Sequence, residues 1–437
     1  MSSNIDFVSI NLDWATATLN RALRAGVMGG LAILLATAFQ VPLAQAKPHL
    51  VIDLSNGRVL AQKDAFRPWH PASLTKLMTA YSAMKAVERA EVLLTSPVRI
   101  SRAARKQPPS RMGYGLGTTV TLENALKLLL IKSANDISVA IGETISGTSK
   151  AFAAQMTADA KALGMTGSRF ENPHGLHHPR QVTTARDMAV LISVLHRQYP
   201  RLTTILASPS VSAPKRNKEG KLIRRTYYSY NLLLERYAGA DGFKTGFVCA
   251  SGYNFIGSAT RSGRRIAAIV MGRDGQTSRA VDAAKLITEG FQSPLGTGIP
   301  LAELKPDSAV PSSPANMRST LCTPEARAAR YEPGAGAAVI ESPWLQERKI
   351  TQKPLRVVLG GTSGPTKAPD PRAGRIPLPT FRPDGQDASN RSQNINTELA
   401  LLRPSPGDRS TQAPVKPLRE PKAGLPVPTF RPSIVQN

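Results

Sequence analysis

Pro71-Ala72-Ser73-Leu74-Thr75-Lys76-Leu77-Met78-Thr79 decides the fold once it is taken with two later stretches, Ser133-Ala134-Asn135 and Lys244-Thr245-Gly246. A Ser three residues before a Lys is common by chance and usually marks nothing more than a solvated helix turn. The fixed order Ser-x-x-Lys, Ser-x-Asn, Lys-Thr-Gly is more specific. The three motifs fall far apart along the chain, each in a separate predicted element that folding can bring to one cleft.

Outward from Ser73, the apolar positions Leu74, Leu77, Met78, Tyr81 and Met84 recur at helical spacing to about Val87, with Pro71 just upstream. Further helices are predicted over about Leu122 to Lys132, Asp136 to Ile145, Ala151 to Leu163 and Ala185 to Arg197, the last capped by Thr183 or Thr184. Before Ser73, two apolar runs flank Ser55-Asn56-Gly57, a hairpin signal. Strand character returns near Phe243 to Val248, Tyr253 to Ala259 and Arg265 to Met271, and a helix from about Ala280 to Phe291 closes the unit. Strands at both ends with helices between them predict an α/β (α+β) fold, an antiparallel sheet flanked by helices, whose first and last segments pair.

The chemistry of the motifs follows from their positions. A serine hydroxyl is a weak nucleophile that needs a nearby base, and Lys76 sits one turn on from Ser73, on the same helix face. The helix N-terminus puts positive charge and a backbone N–H beside Ser73. Burial and a neighbouring cation, for which Lys244 is the candidate, free the Lys76 amine to take a proton. Ser133 and Asn135 lie between two helices, placed to relay a proton and to hold a substrate amide or Lys76. Lys244, Thr245 and Gly246 are predicted on an edge strand that accepts a peptide as an added strand and binds its carboxylate.

In these motifs the chain resembles the penicillin-recognising serine enzymes, whose β-lactamase/transpeptidase-like fold is the one predicted. The flanking residues narrow the resemblance to the low-molecular-mass D-alanyl-D-alanine carboxypeptidases. They are Asn172-Pro173-His174-Gly175-Leu176, Thr184-Ala185-Arg186-Asp187-Met188-Ala189 and Asp241-Gly242-Phe243 ahead of Lys244, and the likeness covers about residues 48 to 292. It implies cleavage of the terminal D-Ala from peptidoglycan stem peptides through an acyl-serine, and covalent inhibition by β-lactam antibiotics. By motif position it implies Ser73 as nucleophile, Lys76 as general base and Ser133 as proton relay. Asn135, Lys244, Thr245 and Gly246 bind substrate, Arg279 matches an arginine near the terminal carboxylate, and the N–H groups of Ser73 and Phe247 are the oxyanion donors. Relatives often end in a small β domain and an amphipathic membrane helix, neither of which is legible here. Two rival readings share the motifs: a serine β-lactamase, for which Glu171 is the residue to watch, and a non-catalytic cell-wall binding protein. No cofactor is implied, and His174, His177 and His178 lack the carboxylate or cysteine spacing of a zinc site.

The rest of the 437 residues is organised around this unit. Arg21 and Arg24, an apolar run from about Val27 to Val41 and Ala44-Gln45-Ala46 read as a secretory signal peptide with a long n-region over 1–46; a retained anchor is the alternative. The catalytic domain is placed at 47–293, and 294–437 is a Pro- and Arg-rich tail read as largely disordered. The tail repeats Pro371 to Pro383, with Pro379-Thr380-Phe381-Arg382-Pro383 at its core, as Pro421 to Pro432, a linear motif used twice or the drift of a spacer. A net charge of +26 fits an anionic envelope surface or envelope partner, the tail included, better than nucleic acid, and also fits plain solubility. Export puts the only two cysteines, Cys249 and Cys322, where disulfides persist. A bridge and two unrelated thiols are both open.

Overall fold

Asp53 builds the first turn. Its carboxylate accepts from the Ser55 N–H at 3.0 Å, its carbonyl accepts from the Gly57 N–H at 2.8 Å, and Gly57 takes the positive φ of 76° that the reversal needs. The hairpin so formed, β1 (His49–Asp53) and β2 (Arg58–Lys63), opens the chain in this computed structural model, which describes residues 47–331, 342–346, 348 and 351–367. Residues 1–46, read above as a signal peptide, and both tail repeats lie outside the described residues.

A 3₁₀ turn at Ala72–Leu74 runs into α1 (Thr75–Glu88), followed by β3 (Pro97–Arg99), β4 (Thr119–Thr121), α2 (Leu122–Leu130), α3 (Asn135–Ser146), α4 (Ser149–Ala162) and α5 (Ala185–Gln198). Thr184 caps α5, its hydroxyl accepting from the Asp187 N–H at 3.0 Å. After the hairpin β5 (Ser210–Arg216) and β6 (Leu222–Tyr228) come β7 (Ala240–Val248), β8 (Gly252–Arg261), β9 (Arg264–Arg273), α6 (Gln276–Gln292) and β10 (Ile299–Pro300). The principal sheet is antiparallel with order β10-β2-β1-β9-β8-β7, so β1 and β9 pair as expected and β7 is an edge.

Strand periodicity splits the core into two layers. On β9, Ile266, Ala268 and Val270 pack with Ala280, Ala283, Ala284 and Ile287 of α6. The alternate residues Ala267, Ile269 and Met271 face the helical layer, packing with Leu77 and Met78 of α1 and Met188 and Ile192 of α5. Only a few side chains of α1 reach water, so its polar Thr75, Lys76, Thr79 and Ser82 are all buried. Thr75, Lys76 and Thr79 find partners in other parts of the chain, which makes this helix a site carrier.

Two features depart from expectation. The β5–β6 hairpin was not anticipated, because β6 is exposed on both faces at its start and rich in cations, which hides the alternation a strand normally shows. The folded unit also continues past residue 293. β10 pairs with β2; Leu304, Met317, Leu321 and Leu345 are buried; and β11 (Leu355–Arg356) joins β5 in parallel, Leu355 opposite Val211. The chain then lies along the helical layer, with the N–H groups of Gly360, Ser363 and Lys367 donating to the carbonyls of Thr119, Thr95 and Thr144. Single apolar anchors between Pro and Ser residues carry no periodicity, so local sequence pattern does not record these pairings beyond residue 293.

Asn254 on β8 ties the segment before Ser73 to the sheet. Its Nδ2 donates to the carbonyls of His70 at 2.9 Å and Pro71 at 3.2 Å, and its Oδ1 accepts from the Gly272 N–H at 3.1 Å. Asn254→Ala strands the His70 carbonyl and the Gly272 N–H, while the Pro71 carbonyl keeps the Leu74 N–H, and chemical denaturation of the variant is expected to show a loss of about 2 kcal/mol; a loss below about 1 kcal/mol would mean the segment holds itself.

Candidate active site

Ser73 sits in the 3₁₀ turn ahead of α1, and two glycines let other backbone approach it. A methyl group on Gly246 of β7 would come within 2.9 Å of the Ser73 nitrogen, and one on Gly175 within 1.8 Å of the Ala72 carbonyl oxygen. Gly175 also holds a φ of 90°, which bars a side chain on conformational grounds. The turn is thus clamped between the edge strand and the loop containing Pro173-His174-Gly175.

Lys76 is fully buried, and its Nζ lies 2.9 Å from Ser73 Oγ, 2.8 Å from Asn135 Oδ1 and 2.7 Å from the His174 carbonyl oxygen. Burial, and next the charge on Lys244, push its pKa well below the usual lysine range; Asp136 opposes them. The partners suit a neutral amine. Two N–H bonds satisfy the two carbonyl-type acceptors, and the remaining lone pair faces the Ser73 hydroxyl, which then donates to it.

The second motif bends sharply. Ser133 has a φ of 62°, and Asn135 opens α3 with its side chain spanning the cleft floor, Oδ1 toward Lys76 and Nδ2 donating to the Pro108 carbonyl at 2.9 Å. The next residue, Asp136, accepts from the N–H groups of Met112 at 3.0 Å and Gly113 at 2.9 Å. It pins the 108–113 loop that walls the cleft.

On β7, Lys244 is buried with its Nζ 3.2 Å from the Thr245 carbonyl, and burial followed by the charge of Arg279 lowers its pKa to about 7. Arg279, in the first turn of α6, reaches the carbonyls of Gly246 and Asn254 at 3.4 Å, and its guanidinium lies 5.4 Å from the Tyr253 ring centroid. Burial brings it down to about 10.

A cleft of about 1260 Å³ joins these parts, lined by Ser73, Ser133, Asn135, Thr245, Gly246 and Arg279 among others. Phe247 lines it too, its ring 4.3 Å from Tyr253, as do Cys249 and Cys322, which are bonded to each other with Cα atoms 5.7 Å apart. Every candidate position therefore meets at one site, with Lys76 and Lys244 in the wall behind it. Glu171 does not line the cleft: it is paired with Arg169 at 2.8 Å and Arg180 at 3.1 Å.

The histidines serve the frame. The His174 ring accepts from the Leu176 N–H at 3.1 Å, and burial together with Lys76 lowers its pKa to about 3, so it stays neutral. His177 packs edge-on against His70 at 4.8 Å, and among the described residues no group of three or more metal-ligating side chains occurs.

Sequence reasoning assigns no role to Asn254, to Asp136, or to Gln181, whose Oε1 accepts from the N–H groups of Glu171 and Asn172, both at 2.9 Å, while its amide donates to Thr75 Oγ1 at 3.1 Å. Asn254 left one signal, a polar residue inside the apolar run Tyr253-Asn254-Phe255-Ile256. Gln181, in a loop, left none.

The sequence profile of the D-alanyl-D-alanine carboxypeptidases, peptidase family S11, matches residues 36–275. The chain is 31% identical over 288 residues to the D-alanyl-D-alanine carboxypeptidase DacC of Escherichia coli K12, covering 63% of this chain and 70% of that one. It is 31% identical to DacA of Haemophilus influenzae, covering 57% of this chain and 63% of the relative. Among solved structures, the carboxypeptidase DacD of Francisella tularensis superposes with a TM-score of 0.54 at 27% identity, over 56% of this chain and 70% of that one. Penicillin-binding protein 6B of Escherichia coli gives 0.52 at 31% identity, over 58% and 79%. With the profile spanning more than half the chain and the three motifs gathered at one cleft, this protein belongs to the D-alanyl-D-alanine carboxypeptidases of serine peptidase family S11.

Proposed function

We propose that this cleft removes the terminal D-Ala from peptidoglycan stem peptides through an acyl-enzyme on Ser73. The observation that carries the reading is the buried Lys76 amine 2.9 Å from the Ser73 hydroxyl with its other partners already satisfied.

In this reading the stem peptide adds as a strand to the edge of β7, its terminal carboxylate drawn to Lys244, Thr245 and Arg279. Ser73 Oγ attacks the carbonyl carbon between the two D-Ala residues as its proton passes to Lys76 Nζ. The N–H groups of Ser73 and Phe247 hold the oxyanion. The carbon–nitrogen bond then breaks, Ser133 gives its proton to the departing amine and takes the one held on Lys76, and D-Ala leaves with the Lys76 amine neutral again. Water, activated by Lys76, hydrolyses the ester. A β-lactam follows the first half of this path, but the amine it releases stays tethered to the acyl group and obstructs the water.

The β-lactamase alternative needs a carboxylate for that water, and Glu171, the residue considered for it, is engaged by two arginines instead. An exported location fits the signal-like segment 1–46 and the disulfide, which persists in an oxidising compartment. We assign the Pro-rich tail with its repeated Pro-Thr-Phe-Arg-Pro to contact with an anionic envelope surface or an envelope protein.

Three measurements test the reading. Protein lacking residues 1–46 should release D-Ala from diacetyl-Lys-D-Ala-D-Ala and hold a long-lived penicilloyl adduct; rapid penicillin turnover without D-Ala release would favour a β-lactamase. Ser73→Ala should abolish covalent labelling with an unchanged circular dichroism spectrum, and retained labelling would displace Ser73 as the nucleophile. In Lys244→Gln the cation that disfavours the Lys76 ammonium is gone, so the Lys76 pKa rises and more alkaline pH is needed to free the base. The ascending limb of penicillin acylation against pH should move upward, and an unmoved limb would remove Lys244 from the tuning of Lys76.

A further inference from the structure

Cys249 follows the last residue of β7, and the cystine it forms with Cys322 lines the same cleft as Ser73. Cys322 lies beyond residue 275, where the family match ends, so the bridge brings a part of the chain outside that match to the substrate's side. The segment is seated as well as tethered. The Met317 N–H donates to the Ala250 carbonyl at 3.0 Å, and Met317 and Leu321 are buried. A methyl group on Gly252 would meet Met317 Sδ at 2.7 Å and Leu321 Cδ1 at 3.1 Å, so the fit against the β7–β8 turn requires that glycine.

Resting on the carboxypeptidase reading above, the direction of the peptide is determined. Its terminal carboxylate lies by Lys244 and Thr245 and its reacting carbonyl by Ser73, opposite Gly246. The residues upstream of the scissile bond therefore run along β7 toward Phe247 and Val248. Three residues beyond Gly246, about 10 Å at strand rise, stands Cys249. We propose that the Cys249–Cys322 cystine and the 317–322 segment form the far wall of the donor subsite and contact the first and second residues of the stem peptide. Binding of a long stem then depends on an intact bridge, while a substrate truncated before those residues gains little from it.

The test compares kcat and KM for L-Ala-γ-D-Glu-L-Lys-D-Ala-D-Ala and for diacetyl-L-Lys-D-Ala-D-Ala, with rates normalised to sites titrated by labelled penicillin. Three proteins are used: oxidised wild type, wild type reduced by dithiothreitol, and Cys322→Ser. In the reduction, two electrons and two protons pass to the cysteine sulfurs as dithiothreitol closes its own ring disulfide. The ratio of kcat/KM, pentapeptide over truncated peptide, should fall about tenfold in the reduced protein and in Cys322→Ser, through KM, and recover when the wild type is reoxidised. An unchanged or increased ratio in the reduced protein overturns the proposal, and if Cys322→Ser does not fold the reduced wild type decides alone. Oxidised wild type that neither titrates with penicillin nor releases D-Ala would instead overturn the carboxypeptidase reading, and this proposal with it.

Discussion

Lys76 Nζ touches three oxygens from three parts of the chain: Ser73 in its own helical turn, Asn135 at the start of α3, and His174 in the loop before α5. An ammonium taken fully out of water is costly unless it is paired or loses its proton, and here no carboxylate touches it. Asp136, whose charge favours the ammonium, spends its oxygens on the N–H groups of Met112 and Gly113. The surrounding structure is arranged so that a lysine can be buried with a lone pair aimed at a serine. Each element that contributes a partner is fixed in turn by its own polar contacts.

Those contacts explain the surroundings of the site. Thr79 Oγ1 donates to the Pro173 carbonyl at 2.6 Å and Gln181 bonds Thr75, so α1 grips the loop that offers the His174 carbonyl. Gly175 and Gly246 let two backbones close on the Ser73 turn, and Asn254 holds the approach to that turn against β8. Behind the edge strand, burial and next the charge of Lys244 depress the Lys76 pKa, and burial followed by the charge of Arg279 depresses that of Lys244.

The chain past residue 293 is part of this architecture. It adds β10 to one sheet edge, closes a disulfide beside the other, and lays β11 against β5. In the chain-entropy picture a bridge over a separation of 73 residues contributes on the order of 4 kcal/mol, enough to hold a segment whose apolar anchors are few. The sheet edge that would receive a peptide thus has a neighbour supplied from far along the chain.

The primary structure by itself determined the local elements and the chemical cast. Helical spacing from Leu74 to Met84, the Asn56-Gly57 turn and the apolar runs around Lys244, Phe255 and Ile269 are local patterns, and each element formed where its pattern lay. Ser73, Lys76, Ser133 and Lys244 stand out as candidates in the sequence because the groups of each motif sit at fixed offsets within a turn or strand. Only the tertiary structure decided which buried polar residues hold the site, because Asn254, Asp136 and Gln181 act through backbone groups that have no sequence signature. It alone decided between a cystine and two free thiols, and turned the early part of a Pro-rich tail back onto the sheet. Both outcomes rest on contacts between residues distant in the chain, and no local period records where a chain returns.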